Sequence, residues 1–132
     1  MKGKTEAQPY SCLIVDDDYA IRTAAKALMG LCSDMDIDIA VSGIEAISMC
    51  SCVLYDFVLM DISMPNMDGI EAAKEIKHIQ PDCTIVGWTC NGDAINKLDD
   101  KVFTLAIHKN LQEEHIKELV KWILSIKELR AV

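Results

Sequence analysis

Five short apolar runs recur along the chain and set its expected secondary structure. They span residues 12–15, 37–41, 57–60, 84–88 and 104–107. The runs are continuous rather than alternating with polar residues, which is typical of parallel strands covered by helices on both faces. Longer segments of mixed polarity separate them. This alternation predicts an α/β fold in which each strand is followed by a helix.

The segments between the runs carry apolar residues at helical spacing. The first segment has them at Ile21, Ala24, Ala25 and Leu28, and the last at Ile116, Leu119, Val120, Ile123 and Leu124. Residues three and four positions apart share one face of a helix, so these stripes are expected to pack against the sheet. The segment at residues 93–98 is long enough only for a short helix.

Capping and breaking residues indicate where the helices begin and end. Ser42 and Glu45 have the spacing of a capping box, and Asp68 precedes the third helical run as a candidate N-cap. Gly30 is expected to end the first helix, because glycine is common just beyond a helix C-terminus. Pro81 is expected to end the third helix, since proline cannot continue the hydrogen-bonding pattern.

Length and charge restrict the domain organisation and the partners. The chain has 132 residues, of which 51% are hydrophobic, and this fits one domain with its own core. We expect an N-terminal extension at residues 1–10 and one domain at residues 11–132. The formal net charge of -8 repels phosphate backbones and anionic lipids, so direct binding to nucleic acid or membrane is not expected. No apolar stretch suits a membrane span or a signal peptide, which predicts a cytoplasmic protein.

Polar residues stand where four of the predicted strands end. Strands and helices in this order allow few topologies, and the common doubly wound order 2-1-3-4-5 opens a crevice at the carboxyl ends of strands one and three. The residues at the carboxyl ends are Asp16, Asp17 and Asp18 after strand one, Asp61 after strand three, Thr89 after strand four, and Lys109 after strand five. One edge of the sheet should therefore gather carboxylates, a hydroxyl and an ammonium group.

This set of groups is suited to phosphate and metal chemistry. Carboxylates about 4 Å apart repel each other by roughly 4 kcal/mol at an effective dielectric constant of 20, so the cluster needs a cation or raised pKa values. A site made only of oxygen ligands fits Mg2+, or alternatively Mn2+. With that charge neutralised, Asp61 can attack phosphorus as a carboxylate nucleophile, while Lys109 and Thr89 hold phosphoryl oxygens.

Two longer motifs at this edge carry a family resemblance. The motifs are Leu13-Ile14-Val15-Asp16-Asp17-Asp18 and Asp61-Ile62-Ser63-Met64-Pro65-Asn66-Met67-Asp68-Gly69. Together with Thr89, Lys109 and the interval from Asp17 to Asp61, they resemble the signature of response-regulator receiver domains of two-component systems, over nearly the whole chain. The resemblance implies a flavodoxin-like, doubly wound sheet of five parallel strands in the order 2-1-3-4-5, with helices on both faces. It also implies a phosphoacceptor rather than an enzyme.

The resemblance assigns a role to each matching position. It implies that Asp61 accepts a phosphoryl group from a histidine kinase or a histidine phosphotransfer protein. The implied ligands of Mg2+ are Asp16, Asp17, Asp61 and the backbone carbonyl of Ser63, the implied phosphoryl contacts are Thr89 and Lys109, and the implied tuning positions for dephosphorylation are Ser63 and Asn91. The implied output is a contact with a downstream protein through the region between Asp93 and Leu129, by a monomer or a weak dimer.

The sequence also departs from the family pattern near strand five. The family usually has a proline after its lysine, in a cis peptide, and this chain has Asn110. A cis bond before a non-proline residue costs about 2.5–4 kcal/mol, so we expect a trans Lys109–Asn110 bond. The family's aromatic switch position holds Ala106, and the interval from Thr89 to Lys109 is slightly short. These changes predict an atypical output face.

Two other interpretations remain open from the sequence. Asp16 and Asp18 could be the nucleophile and the acid of a phosphatase similar to the haloacid dehalogenases, although the acidic motif expected after the lysine is missing. Alternatively, the chain could be a degenerate receiver that binds a partner without being phosphorylated. The changes at Ala106 and Asn110 favour this second alternative, whereas the complete acidic site argues against it.

Overall fold

A five-stranded parallel sheet forms the centre of the protein. The computed structural model describes residues 9–64 and 69–131. The strands are β1 (Ser11–Val15), β2 (Asp36–Ala40), β3 (Phe57–Asp61), β4 (Thr84–Thr89) and β5 (Leu105–His108), hydrogen-bonded in the order β2-β1-β3-β4-β5. All neighbouring strands are parallel. The predicted fold class and strand order are confirmed.

Helices connect the strands and cover both faces of the sheet. They are α1 (Tyr19–Cys32), α2 (Gly43–Cys50), α3 (Gly69–Ile79), α4 (Glu113–Ala131) and a 3-10 helix, η1 (Gly92–Lys97). The element between β4 and β5 is thus as short as predicted. None of the helices in the described ranges has the length and apolar character needed to cross a membrane.

Each face of the sheet has its own apolar core. In β1, Leu13 and Val15 belong to the core under α2, α3 and η1, whereas Cys12 and Ile14 belong to the core under α1 and α4. Neighbouring side chains of a strand point to opposite faces, so a strand that contributes to both cores needs apolar residues on both of its faces. This explains the continuous apolar runs at the centre of the sheet.

The expectation that every strand is buried on both faces is wrong for the edge strands β2 and β5, the second of which has no buried position. The central strands β3 and β4 are buried at every position, but most positions of β2 are exposed. The difference follows from topology, because β2 is an edge strand that, within the described sheet, pairs with β1 alone. Asp36 and Asp38 lie on this edge, where charged side chains discourage pairing with another chain.

Helix boundaries match the predicted capping residues in part. Ser42 Oγ accepts a hydrogen bond from the N–H of Glu45 at 3.1 Å, which is one half of a capping box, and Glu45 Oε1 accepts from the N–H of Val41. The expectation that Gly30 ends α1 is wrong, because the helix continues to Cys32. Ser33 Oγ donates to the carbonyl of Met29 in the last turn of the helix. The predicted N-cap at Asp68 lies outside the described residues.

A glutamine organises the amino ends of the strands. Gln80, buried just after α3, donates from Nε2 to the carbonyls of Cys50 and Val53 at 2.7 and 2.6 Å. Its Oε1 accepts from the N–H of Tyr55 at 3.0 Å. One side chain thus satisfies three backbone groups of the α2–β3 connection.

Two further contacts extend this arrangement toward β1 and β2. Asp56 Oδ2 accepts a hydrogen bond from the N–H of Ser11 at 2.8 Å, and the Tyr55 hydroxyl donates to Asp38 Oδ2 at 2.6 Å. Burial and the bond to Asp38 both raise the pKa of Tyr55. The residues of this amino-end network are Ser11, Asp38, Tyr55, Asp56 and Gln80.

Candidate functional site

The loop after β1 carries the first group of acidic residues. Asp16 is fully buried, its N–H donates to the carbonyl of Ala40 at 3.2 Å, and its Oδ1 accepts from the N–H of Asp18 at 2.9 Å. Asp18 is the N-cap of α1 and accepts from the N–H groups of Ala20 and Ile21. Local hydrogen bonds therefore give the neighbouring aspartates different roles. Asp18 caps α1, whereas Asp16 lies at the carboxyl end of the sheet.

The end of β3 brings Asp61 to the same edge. Asp61 is 1% exposed, and its Oδ1 accepts from the N–H of Ser63 at 3.0 Å. The backbone of Gly69 lies against the Asp61 carbonyl, where any Cβ atom would overlap it. This close approach explains the glycine of the second motif. Residues 65–68 of that motif lie outside the described part of the chain.

Lys109 joins the two buried carboxylates. Its Nζ lies 2.8 Å from Asp16 Oδ2 and 3.1 Å from Asp61 Oδ2, and its side chain is 10% exposed. The ammonium also lies 5.6 Å from the centroid of the Trp88 ring. The N–H of Lys109 donates to the carbonyl of Thr89 at 2.9 Å, so the lysine is positioned by the β4–β5 pairing.

The carboxylates converge on one small volume. One oxygen each from Asp16, Asp17 and Asp61 lies within 4.8 Å of the others, with Asp17 exposed and the other two buried. With Lys109 they form what we call the carboxyl-end cluster. Three ionised carboxylates and one ammonium leave two net negative charges there. An all-oxygen donor set with excess negative charge is suited to a divalent cation such as Mg2+.

The cluster shifts the pKa values of its members. Burial raises the pKa of Asp61 to about 6, and the Asp16 carboxylate adds to this, while the Ser63 N–H and Lys109 oppose it. Burial alone lowers the pKa of Lys109, but the pairs with Asp16 and Asp61 outweigh it, and the net shift is upward. The lysine therefore stays charged, and ionised Asp61 is held in an unfavourable environment that a further cation would relieve.

Thr89 ends β4 beside these groups. It is buried, and its Oγ1 accepts a hydrogen bond from the N–H of Asn91 at 3.0 Å. In the sheet, Thr89 lies opposite His108, the residue before Lys109. The structure thus brings the predicted residues of β1, β3, β4 and β5 to one edge.

The region around Ala106 has a distinct packing. Ala106 lies opposite Gly87 in the β4–β5 pairing. Phe103 fills the space above Gly87, where a Cβ atom would lie 3.0 Å from the Phe103 ring. A buried aromatic side chain is therefore present near the predicted switch position, but it comes from the loop before β5. Further along, Asn110 Oδ1 accepts from the N–H of Gln112 in the loop before α4.

Sequence reasoning missed one charged residue at the site. Arg22, on α1, is 8% exposed, and its Nη1 donates to the carbonyl of Asp16 at 2.9 Å. The available signal was its position, because Arg22, Ala25 and Met29 share the buried face of α1. An arginine within an apolar stripe is rarely buried unless it is paired.

Comparisons with known proteins agree on one family. The family model of the response regulator receiver domain matches residues 12–121. The chain is 33% identical over 128 residues to the transcription factor SKN7 of Chaetomium thermophilum, a match that covers 88% of this chain and 16% of that protein. The chain thus spans only a small part of that relative.

Solved structures extend the similarity to three dimensions. A CheY-like receiver domain protein from Methanospirillum hungatei matches with a TM-score of 0.84 and 22% identity, over 93% of this chain and 99% of that chain. The response regulator protein TrrA from Thermotoga maritima, solved in complex with Mg2+ and BeF, matches with a TM-score of 0.79 and 30% identity, over 86% of this chain and 98% of that chain.

Proposed function

The chain belongs to the response regulator receiver domain family, and on this premise we propose that Asp61 accepts a phosphoryl group from a phosphohistidine. The donor is a histidine kinase or a histidine phosphotransfer protein, and the transfer takes place in the cytoplasm. The convergence of Asp16, Asp17 and Asp61 around Lys109 is the observation that carries the proposal. Receiver domains are phosphoacceptors rather than classical enzymes, so the phosphohistidine donor is the one reaction partner that the proposal needs.

In the proposed transfer, a carboxylate oxygen of Asp61 attacks the phosphorus atom. An O–P bond forms as the P–N bond of the donor breaks, and the leaving imidazole nitrogen takes the bonding electrons. Burial of Asp61 raises its pKa to about 6, so the carboxylate is largely ionised at neutral pH. Ser63 orients it by donating its N–H to Oδ1.

Asp16, Asp17 and Asp61, with the Ser63 carbonyl, are the proposed ligands of Mg2+, and Mn2+ has the same ligand preference. The response regulator TrrA, which is similar to this chain, was solved with Mg2+ and BeF, and this supports the assignment. When bound, the cation neutralises charge on the acid and on the incoming phosphoryl oxygens. Asp16 and Asp61 each have a buried Oδ2 atom at the site. Among the described residues, Lys109 is the one cation that pairs with these two oxygens, which leaves room for a second.

Lys109 and Thr89 are the proposed contacts of the phosphoryl group. Lys109 bridges two carboxylates, and its ammonium can turn to a phosphoryl oxygen once Asp61 is phosphorylated. Thr89 Oγ1 already accepts from Asn91, which leaves its hydroxyl proton for a phosphoryl oxygen. Ser63 and Asn91 are the proposed tuning positions for dephosphorylation.

The proposed output is a contact between a downstream protein and the surface formed by η1, β5 and α4. This surface includes the described part of the region from Asp93 to Leu129 that the sequence indicated. Thr89 hydrogen-bonds to Asn91 just before η1, and its carbonyl accepts from Lys109 at the end of β5. A change at Thr89 would therefore reach both η1 and β5.

A degenerate receiver that binds its partner without phosphorylation is the second candidate. The specific observation in its favour is the packing of Phe103 over Gly87 beside Ala106. Phe103 is buried and precedes β5, so it does not stand at the family's aromatic switch position, which Ala106 occupies. The second candidate predicts a protein that folds and binds its partner but gains no phosphoryl group.

Incubation with acetyl phosphate and Mg2+, followed by intact-mass measurement, tests the proposal. We expect the mass of one phosphoryl group on the wild-type protein, and none on Asp61→Asn or with a chelator present. Asp18→Asn is the matched control, because Asp18 caps α1 and an asparagine can also cap a helix. It should be phosphorylated like the wild type. A folded wild-type protein that gains no mass with Mg2+ present would contradict the proposal and favour the degenerate receiver.

A further inference from the structure

Arg22 is a buried cation that the proposed phosphoryl transfer does not use. It lies one turn into α1 and is 8% exposed. Its guanidinium carbon lies 5.7 Å from the centroid of the Tyr19 ring, and its Nη1 donates to the carbonyl of Asp16 at 2.9 Å. Among the described residues, its Nε is buried without a hydrogen-bond partner. Burial of a charge costs free energy of folding, so we expect a function of Arg22 that offsets this cost.

The hydrogen bond to Asp16 joins α1 to the acidic loop. Asp16 is held by three other contacts: its N–H to Ala40, its Oδ1 to the N–H of Asp18, and its Oδ2 to Lys109. Among the residues that the structure describes, only Arg22 donates to the Asp16 carbonyl, and it thereby orients the peptide plane that leads into Asp17. Rotation of this plane would turn the Asp17 carboxylate relative to Asp16 and Asp61.

We propose that Arg22 is a positioning residue for the cation site: its hydrogen bond to the Asp16 carbonyl keeps the Asp16 and Asp17 carboxylates converged on Asp61. Arg22 acts through Asp16 and contacts no reacting atom. The proposal rests on the proposed function, because it assigns Arg22 a role in binding the Mg2+ that phosphoryl transfer requires. Outer-shell groups that orient metal ligands commonly change metal affinity by about 10-fold to 100-fold when they are removed.

Charge and position predict opposite results for the removal of Arg22. A guanidinium beside an acidic cluster repels a divalent cation, so the loss of its charge alone would tighten Mg2+ binding. Loss of the hydrogen bond would instead release the Asp16 peptide and weaken Mg2+ binding. The direction of the change in Mg2+ affinity therefore separates the positioning role from a purely electrostatic one.

Three substitutions in the full chain make the test specific. Arg22→Met keeps much of the apolar stem and removes the charge and the donors. Arg22→Lys keeps the charge but loses the planar group that reaches the carbonyl. Lys26→Met is the matched control, because Lys26 is exposed one turn further along α1 and its replacement also removes one positive charge.

Calorimetric titration with Mg2+ measures the dissociation constant of each variant, and thermal unfolding in chelator confirms that each is folded. Trp88, beside Lys109, supplies a second, fluorescence readout of the same titration. We expect about 10-fold to 100-fold weaker Mg2+ binding for Arg22→Met. Arg22→Lys should be intermediate, and Lys26→Met should stay within about twofold of the wild type. If Arg22→Met does not fold, weaker Mg2+ binding by Arg22→Lys carries the test.

Unchanged or tighter Mg2+ binding in a folded Arg22→Met would overturn the positioning role. The same holds for Arg22→Lys when it is the variant that folds. A lower unfolding temperature with unchanged affinity would make Arg22 a purely structural residue and would leave the proposed function intact. If the wild-type protein itself bound no Mg2+, the proposed function would fail, and the positioning role with it.

Discussion

Polar groups are buried at both ends of the sheet, but the two ends differ in how completely these groups are paired. At the amino ends, Gln80 satisfies three backbone groups, and Asp56 accepts from Ser11. At the carboxyl ends, Asp16 and Asp61 share the single ammonium of Lys109, which lies 2.8 Å and 3.1 Å from their Oδ2 atoms. The amino-end network is therefore complete, whereas the carboxyl-end cluster lacks positive charge.

The contrast separates stability from function within one domain. A satisfied network stabilises the fold and has no capacity for a ligand, while an undercharged cluster costs stability and can bind a cation or a phosphoryl group. Substitutions at the amino ends should therefore change the free energy of unfolding alone. Substitutions at the carboxyl ends should change ligand binding, and their effect on stability should depend on metal and pH.

Lys109→Met should give the largest effect, because it removes the positive partner of two buried carboxylates. We expect the metal-free protein to lose about 3–5 kcal/mol of unfolding free energy, as is typical when one member of a buried ion pair is removed. Mg2+ should restore part of this loss by taking over the neutralising role. Chemical denaturation with chelator and with saturating Mg2+ measures both. An equal loss in the two conditions would contradict the account.

Gln80→Ala should give the next largest effect, at the opposite end of the sheet. It leaves the Tyr55 N–H and the carbonyls of Cys50 and Val53 without their partner, and we expect a loss of about 3 kcal/mol. Chemical denaturation measures this loss, and Gln112→Ala, on an exposed glutamine, is the matched control. Mg2+ affinity and phosphorylation should not change. A large loss of Mg2+ affinity in Gln80→Ala would show that the two ends are not separate.

Asp61→Asn should stabilise the metal-free protein while abolishing phosphorylation. Burial raises the pKa of Asp61 to about 6, above its ordinary value of 3.8. The stability contributed by Asp61 is thus fully present below about pH 4 and is lost as the pH rises through about 6. We expect a gain of about 1–2 kcal/mol for Asp61→Asn at pH 7.5, decreasing toward pH 5. Denaturation in chelator at both pH values measures it, and a gain independent of pH would contradict this explanation.

Tyr55→Phe should give the smallest effect. It removes the hydrogen bond between the Tyr55 hydroxyl and Asp38 at the exposed edge strand. We expect a loss of about 1 kcal/mol, since Asp38 can be solvated by water once the hydroxyl is gone. Chemical denaturation detects this change, and Mg2+ affinity serves as the internal control. A loss as large as that of Gln80→Ala would mean that the edge strand depends on this one contact.

The sequence predicted the central strands and the carboxyl-end cluster because both follow from simple rules. A strand covered on both faces carries apolar residues on both of them, and parallel strands bring their carboxyl ends together. Asp16, Asp17, Asp61 and Lys109 could therefore be assigned to one site before the fold was known. The same rule failed for β2, where exposure at the sheet edge allows charged residues.

The remaining features depend on contacts between distant segments. The role of Arg22 depends on how α1 docks beside the acidic loop, and the position of Phe103 depends on the glycine opposite Ala106. Gly69 could be recognised as part of a motif, but the reason for it is the approach of its backbone to the Asp61 carbonyl. Periodicity contains no information about such tertiary contacts.

Locating the phosphoryl group tests the central claim most directly. After reaction with acetyl phosphate and Mg2+, borohydride reduces an aspartyl phosphate to homoserine, and peptide mass spectrometry identifies the modified residue. The account predicts modification of Asp61 alone in the wild-type protein and in the Asp18→Asn control. Modification of Asp16 would contradict the account and support the phosphatase alternative, and a folded protein with no modified aspartate would show that the domain is not a phosphoacceptor.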